Sequence, residues 1–370
     1  MDKWIEIDVS AVKHNLHQVQ ALLKEGTRLI AVVKANAYGH GALETARILC
    51  DQGVDFLAVS FLAEALQLRN SGISADILIF SPVVTSREAE MAIEQRLTLT
   101  IASPADLDRL SQAAAGSGER IKVHLKIDTG LGRFGLNEEE AIQVVKKLAD
   151  LPYIYMEGIY THAADPASPS YTSEQFRRFQ QVVRKLEEEG VEIPIKHAAN
   201  SAAFLQHAEM HLDAVRIGTL LSGQHPAGHF PERLELRDPY KYKSRIISVK
   251  SLPPGSYLGY ARTFRLSRTA QIAVIPVGFN DGLGVEVGNP PAGLIDLSKK
   301  LAKVVLNYLQ WQRFKLQVKV KGREYPIRGK VFMQMALIEV PTGIQIEVGD
   351  EIEVPIRKTL ASASVPRIYI

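Results

Sequence analysis

The chain has 370 residues, 46% hydrophobic and 23% charged, with a formal net charge of +3 and a single cysteine. That length exceeds most single cores and predicts two domains, or one large barrel with an appendage. Basic residues spread along the chain without interleaved aromatics argue against a nucleic-acid surface, Cys50 alone excludes an intramolecular disulfide or a cysteine-based metal cluster, and no apolar run approaches membrane-spanning length.

Met1 is followed at once by Asp2 and Glu6, with neither the basic region nor the apolar core of a signal peptide, so a cytoplasmic protein is expected. Residues 4–7 (WIEI) read as a short strand, and Asp8 or Ser10 can cap the helix that follows. From Arg28 a regular alternation sets in. Apolar runs of strand length occupy 28–34 (RLIAVVK), 55–61 (DFLAVSF), 76–81 (DILIFS), 97–102 (LTLTIA), 121–127 (IKVHLKI), 156–162 (MEGIYTH), 195–199 (IKHAA) and 212–217 (LDAVRI). Segments of helical period lie between them at 42–52, 62–71, 86–95, 104–114, 137–149 and 173–189, and the helix before the last strand is weak. This is the pattern of parallel strands buried on both faces, and the number of strands favours a closed (β/α)₈ TIM-type barrel over an open doubly wound sheet.

After about Gly228 helical periodicity becomes rare, and β-rich runs bounded by Gly and Pro take over: SRIISVK, AQIAVIPV, KLQVKV, KVFMQMALIEV and IQIEVGDEIEV. These predict a C-terminal all-β domain, a barrel or sandwich, with one helix at 298–310. The expected division is a barrel over 10–232 and a β domain over 233–370 that also takes the strand at 1–9, with a charged, proline-marked hinge at 228–240.

In a parallel barrel the carboxyl ends of the strands converge on one mouth, where sites are built. Here those ends carry Lys34 and Tyr38; Lys126, Asp128 and Arg133; His162; His197, Asn200 and Ser201; and Arg216, Gly218 and Thr219. Each has a plain structural reading. Lys34 can snorkel to solvent, Asp128 can close its own turn, Asn200 and Ser201 can cap the next helix, and Arg216 can be an ion-paired strand residue. Their accumulation at one mouth suits a phosphate-bearing aldehyde cofactor, held by the lysine through its carbonyl carbon and by backbone N–H groups at its phosphate. No zinc-binding helix motif, G-x-S-x-G elbow or G-x-x-x-x-G-K-[ST] loop is present.

At AVVKANAYGHG, HLKIDTGLGRFG, GIYTHAADP, HAANSAA, AVRIGTLLSG, GYARTF and VIPVGFNDG the chain resembles the alanine racemase family of fold type III enzymes, over essentially its whole length. The resemblance implies pyridoxal 5'-phosphate as cofactor and an amino acid as substrate, with D-amino acids supplied to a cell wall. Lys34 would be the Schiff-base lysine and the base on one substrate face. Tyr260 would be the base on the other, contributed to the partner's site in a homodimer. His162 would lie behind that tyrosine, linked to Arg216, which would donate to the pyridine nitrogen. Arg133 and Met333 would approach the substrate, Lys126 matches a lysine that is often carbamylated, and Tyr38, Asn200, Ser201, Gly218 and Thr219 would border the phosphate. No metal and no membrane partner is implied.

Departures from the family's pattern cluster at the approach to the cofactor. An arginine is replaced by Lys330, an aspartate by Gln334, a tyrosine by Phe279 and a phosphate-bonding tyrosine by Ala363. A pocket admitting a side chain larger than methyl, or a different charge, is one expectation. Other readings on the same architecture are decarboxylation, an amine-processing enzyme of secondary metabolism, and a non-catalytic carrier of the cofactor. Decarboxylases of this fold use a cysteine from the partner's β domain, whereas Cys50 lies in the barrel, and a carrier has no use for Tyr260.

Overall fold

The computed structural model describes every residue except 116–118, 167, 227–233, 289, 292 and 309–315. It divides into two compact units, one formed by Val9–Pro239 and the other by Met1–Asp8 with Tyr240–Ile370. The boundary expected at 232/233 lies outside the described residues.

Strand β1 (Lys3–Ile7) belongs to the second unit. The first unit follows with α1 (Val9–Ala21), β2 (Arg28–Val32), α2 (Lys34–Tyr38), α3 (Ala42–Asp51), β3 (Phe56–Val59), α4 (Leu62–Asn70), β4 (Asp76–Ile79), α5 (Ser86–Glu94), β5 (Leu99–Ile101), α6 (Pro104–Ala114), β6 (Ile121–Lys126), α7 (Glu138–Leu148), β7 (Ile154–Tyr160), α8 (Pro169–Glu188), β8 (Ile195–His197), α9 (Ser201–Gln206) and β9 (Ala214–Ile217). Helices start where the sequence can satisfy their free N–H groups. Thr85 and Glu88 cap each other's backbone at α5, Asn137 and Glu140 do so at α7, and Ser103 caps α6 with Pro104 in its first turn.

Parallel pairing runs β4-β3-β2-β9 and β5-β6-β7-β8. The two sheets meet at a Leu78–Thr98 bridge on one side. On the other, the N–H groups of Asp213 and Arg216 donate to the carbonyls of Lys196 (3.1 Å) and Ala199 (3.0 Å). The eight strands therefore close into a barrel of the TIM type. Ile30, Val32, Phe56, Ala58, Leu78 and Ala214 pack together within it, and all four residues of β3 are buried. Burial on both faces is why these strands read as unbroken apolar runs. The weak helix before the last strand is α9, six residues long, followed by a 3₁₀ turn at Ala208–Met210.

In the second unit β10 (Tyr240–Arg245), β11 (Ser248–Leu252), a β12–β13 ribbon (Tyr257–Leu258 and Phe264–Arg265), β14 (Ala270–Ile275), β15 (Gln317–Val320), β16 (Arg323–Arg328), β17 (Ala336–Pro341), β18 (Glu351–Glu353) and β19 (Arg367–Tyr369) follow. Among the described residues they form one sheet in the order β11-β14-β17-β16-β15-β18-β10-β1-β19, apart from the ribbon. Strand β1 is antiparallel to β10 and parallel to β19, so the amino-terminal strand is an interior member of this sheet. Helix α10 (Leu294–Tyr308) begins before the expected Ser298, and its expected end at 310 lies outside the described residues. Among the described residues no helix is long and apolar enough to cross a membrane.

Candidate active site

Strand β2 stops at Val32, two residues short of the expected Lys34. Lys34 instead opens α2, in which Ala35, Asn36, Ala37 and Tyr38 all have φ between 50° and 55°. Four consecutive non-glycine residues in the left-handed region cost of the order of 1–2 kcal/mol each, a local strain that the surroundings must offset. Two anchors do so. Glu64 accepts the N–H of Ala35 at 2.6 Å as well as those of Ser60 and Phe61, and the Asn36 side chain accepts the N–H of Ala42 at 2.8 Å. The turn throws the Lys34 side chain into the barrel mouth rather than along the strand. Burial lowers its pKa first, helped by Arg133 and Arg216 and opposed by Glu64.

Arg216 reaches the same mouth from β9 and is buried. Its guanidinium donates to the backbone carbonyls of His197 (2.9 Å), Thr161 (2.6 Å) and Ala198 (3.0 Å), and to Nδ1 of His197 (3.0 Å), with Nδ1 of His162 at 3.5 Å. Burial lowers its pKa to about 10, with Tyr160 opposing, which leaves it a cation at neutral pH. His162 and His197 are both held well below the ordinary histidine range by burial and then by Arg216, so each is a neutral imidazole.

The remaining wall is small. The Gly218 N–H donates to the Ser201 hydroxyl at 3.1 Å, and a Cβ at Gly218 would collide with the Tyr38 phenol, so only glycine lets the tyrosine lie against this backbone. Burial raises the Tyr38 pKa to about 12 and keeps it a neutral hydroxyl. Asn200 caps α9 by accepting the N–H groups of Ala202 and Ala203, its plain structural reading, while still facing the mouth. Together Lys34, Tyr38, His162, Asn200, Ser201, Arg216, Gly218 and Thr219 line one cavity of about 460 Å³.

Arg133 and Lys126 are outside that lining. They share the ring of Phe134, with the Lys126 ammonium 3.5 Å and the Arg133 guanidinium 5.0 Å from its centroid. Burial, then Arg133 and Arg216, lower the Lys126 pKa to about 7, against the pull of Asp128. Asp128 itself closes its own turn, accepting the N–H groups of Gly130, Leu131 and Gly132.

Tyr260 and Met333 belong to the second unit, where both are exposed. Tyr260 packs edge-on against Phe332, with ring centroids 5.1 Å apart, and the N–H groups of Phe279 and Asn280 donate to the carbonyls of Phe332 and Met333. Tyr260, Phe279, Met333 and Met335 thus form one exposed apolar platform around Phe332, and Gln334 and Ala363 are also exposed residues of that unit. Within the barrel, sequence reasoning missed Glu64, His124 and Glu157. The alternation of Lys122, His124 and Lys126 along an otherwise buried strand was the signal available for the second.

The sequence model of the alanine racemase N-terminal domain matches residues 7–226, and that of the alanine racemase C-terminal domain matches residues 240–365. An alanine racemase of Methanococcus maripaludis is 35% identical over 355 residues, covering 95% of this chain and 88% of that protein. The structure of an alanine racemase of Clostridium difficile 630 superposes with a TM-score of 0.87 at 30% identity, covering 100% of this chain and 96% of that one. A histidine racemase from Leuconostoc mesenteroides subsp. sake shares the fold, with a TM-score of 0.82 at 24% identity over 100% of this chain and 98% of that one.

Proposed function

The chain belongs to the alanine racemase family and is an amino-acid racemase of the isomerase class, and on that premise we propose that it binds pyridoxal 5'-phosphate at the barrel mouth and works as a homodimer. The observation that carries the cofactor assignment is the convergence of Lys34, Arg216, Ser201, Gly218 and Thr219 on one cavity. These residues fit the group. Lys34 would take its aldehyde, Arg216 would donate to its ring nitrogen, and Ser201, Gly218, Thr219 and Tyr38 would surround its phosphate, with Asn200 beside them. When bound, the cofactor supplies a carbonyl that links to amino groups and a ring that weakens the substrate's Cα–H bond.

Racemisation removes an α proton on one face and returns one on the other, which requires two groups on opposite faces. Lys34, biased toward its neutral amine, serves one face. Tyr260, exposed on its own unit, serves the other in the site of the second copy, with the partner's His162 behind it; the exposed platform around Tyr260 supports this. Arg133 and Met333 contact the substrate. Lys126 carries a carbamate, for which a neutral amine near pH 7 is the chemical requirement.

Alanine is the default substrate. A larger side chain is the second reading, favoured by Ala363 where the family carries a tyrosine, and the fold itself accommodates one in the Leuconostoc histidine racemase. Decarboxylation finds little support at Cys50, whose thiol pKa is pushed up by burial and then by Asp51 and Asp55. A cytoplasmic location and a role in supplying D-amino acids to a cell wall complete the proposal. Borohydride reduction of the purified yellow protein should fix the cofactor to the peptide containing Lys34, and a panel of L-amino acids should show which one gains its D-isomer. Protein that neither holds nor takes up pyridoxal phosphate would refute the cofactor assignment.

A further inference from the structure

A line of buried polar groups runs from Arg216 through the barrel interior to the opposite end of its strands. Nδ1 of His197 accepts from Arg216 at 3.0 Å, Nε2 of His197 lies 2.7 Å from Nδ1 of His124, and Nε2 of His124 lies 3.2 Å from Oε2 of Glu157. The other oxygen of Glu157 is paired with Lys122 at 2.9 Å. Lys122 continues to Asp76, Asp76 to Arg28, and Arg28 to Asp55. His124 and His197 are fully buried, and Tyr160 stacks on His197 with centroids 4.8 Å apart. The fold makes room for the line at one position. Pairing between β6 and β7 slips between Val123 and His124, which sets Gly158 opposite His124, and a Cβ there would lie 2.6 Å from the Ile195 carbonyl oxygen and 2.8 Å from the His124 ring.

The direction of every hydrogen bond in this line follows from its two ends. Guanidinium is only a donor, so Nδ1 of His197 must be bare and its proton must sit on Nε2. That proton is donated to Nδ1 of His124, whose own proton must then sit on Nε2 and be donated to Glu157, which as a carboxylate only accepts. Burial holds both imidazoles neutral despite Glu157. Burial raises the Glu157 pKa, but bonds from His124 and Lys122 outweigh it and bring it to about 2.

We propose that Glu157, paired with Lys122, is a positioning residue for Arg216: it fixes the polarity of the hydrogen bonds through the barrel, so that His197 always presents a lone pair and never an N–H to the guanidinium. The polarity itself is independent of any ligand. Its functional consequence rests on the proposed placement of Arg216 at the cofactor's ring nitrogen.

Glu157→Gln tests it. Lys122 can only donate, so the new amide turns its oxygen to Lys122 and its NH₂ to Nε2 of His124. The line then reverses, and an Nδ1–H of His197 faces an N–H of Arg216. ¹⁵N NMR of the histidine-labelled holoenzyme should show the proton on Nε2 of both His124 and His197 in the native protein and on Nδ1 of both in Glu157→Gln. The cofactor's visible absorbance should shift, and kcat should fall roughly 10- to 100-fold with KM moving less, the scale of one buried donor left unsatisfied. In Lys122→Met/Glu157→Gln the amide is free to turn its oxygen back to His124, and both the Nε2 protonation and most of kcat should return. The proposal is overturned by a native His197 that carries its proton on Nδ1 or carries two, a result that needs no variant. It is equally overturned by Glu157→Gln keeping the native tautomers, or by a double variant no better than the single. Absence of bound cofactor would refute the placement of Arg216 while leaving the tautomers to decide the polarity.

Discussion

Lys34 and Lys126 stand among the same cations, and burial first and Arg133 second drive each toward its neutral amine. The consequence is clearest for Lys126, because the neutral amine is the form that adds carbon dioxide. Its folded pKa of about 7 lies below the ordinary lysine value, so the reactive fraction rises as pH passes upward through about 7 instead of near 10. With ¹³C-labelled bicarbonate, a carbamate carbon should appear in the NMR spectrum over that range and be missing in Lys126→Ala. A carbamate that forms only near the ordinary lysine pKa would contradict the environment described for this group. Among the mouth residues, identities at strand ends were readable from the sequence, because parallel strands of a barrel deliver their carboxyl ends to one place. The polarity of the Arg216, His197, His124 and Glu157 line was not, since it depends on which ring nitrogens meet in three dimensions.

At the scale of elements, the turn carrying Lys34 departs most from what its residues favour. Of Ala-Asn-Ala-Tyr only the asparagine readily tolerates left-handed backbone; Glu64 from the start of α4 and the Asn36 side chain hold the other residues there. This is why the strand was expected to run to Lys34 and instead ends at Val32. Asn36→Ala removes both the residue best suited to this backbone and the acceptor for the Ala42 N–H. It should lower stability to urea by about 1–2 kcal/mol and weaken cofactor retention further than a surface change of equal cost. Unchanged stability would mean that the turn is held elsewhere. By contrast, the eight strands were legible in order and number, because burial on both faces leaves runs such as 56–59 without a polar residue. The β unit was legible as β-rich, but not the interior place of β1, whose partners β10 and β19 lie far away in sequence.

At the scale of the whole molecule, the proposed chemistry uses a lysine from one copy and a tyrosine from another. Tyr260 and its neighbours Phe279 and Met333 form an exposed apolar surface of the kind that marks an interface. A closed two-fold dimer would give each copy one complete site and predicts a dimer in sedimentation at working concentrations. The same geometry predicts complementation between two inactive variants. Lys34→Ala retains Tyr260, and Tyr260→Phe retains Lys34, so a mixed dimer has one site with both groups native and one with neither. Equal mixing with free exchange of subunits should therefore restore about a quarter of the native activity, measured as D-isomer formed from the L-amino acid with α-deuterium incorporation in D₂O. Recovery to that level would place Lys34 of one copy and Tyr260 of the other in one shared site, as the two-base chemistry requires. No recovery from a mixture in which mixed dimers are demonstrated would contradict it.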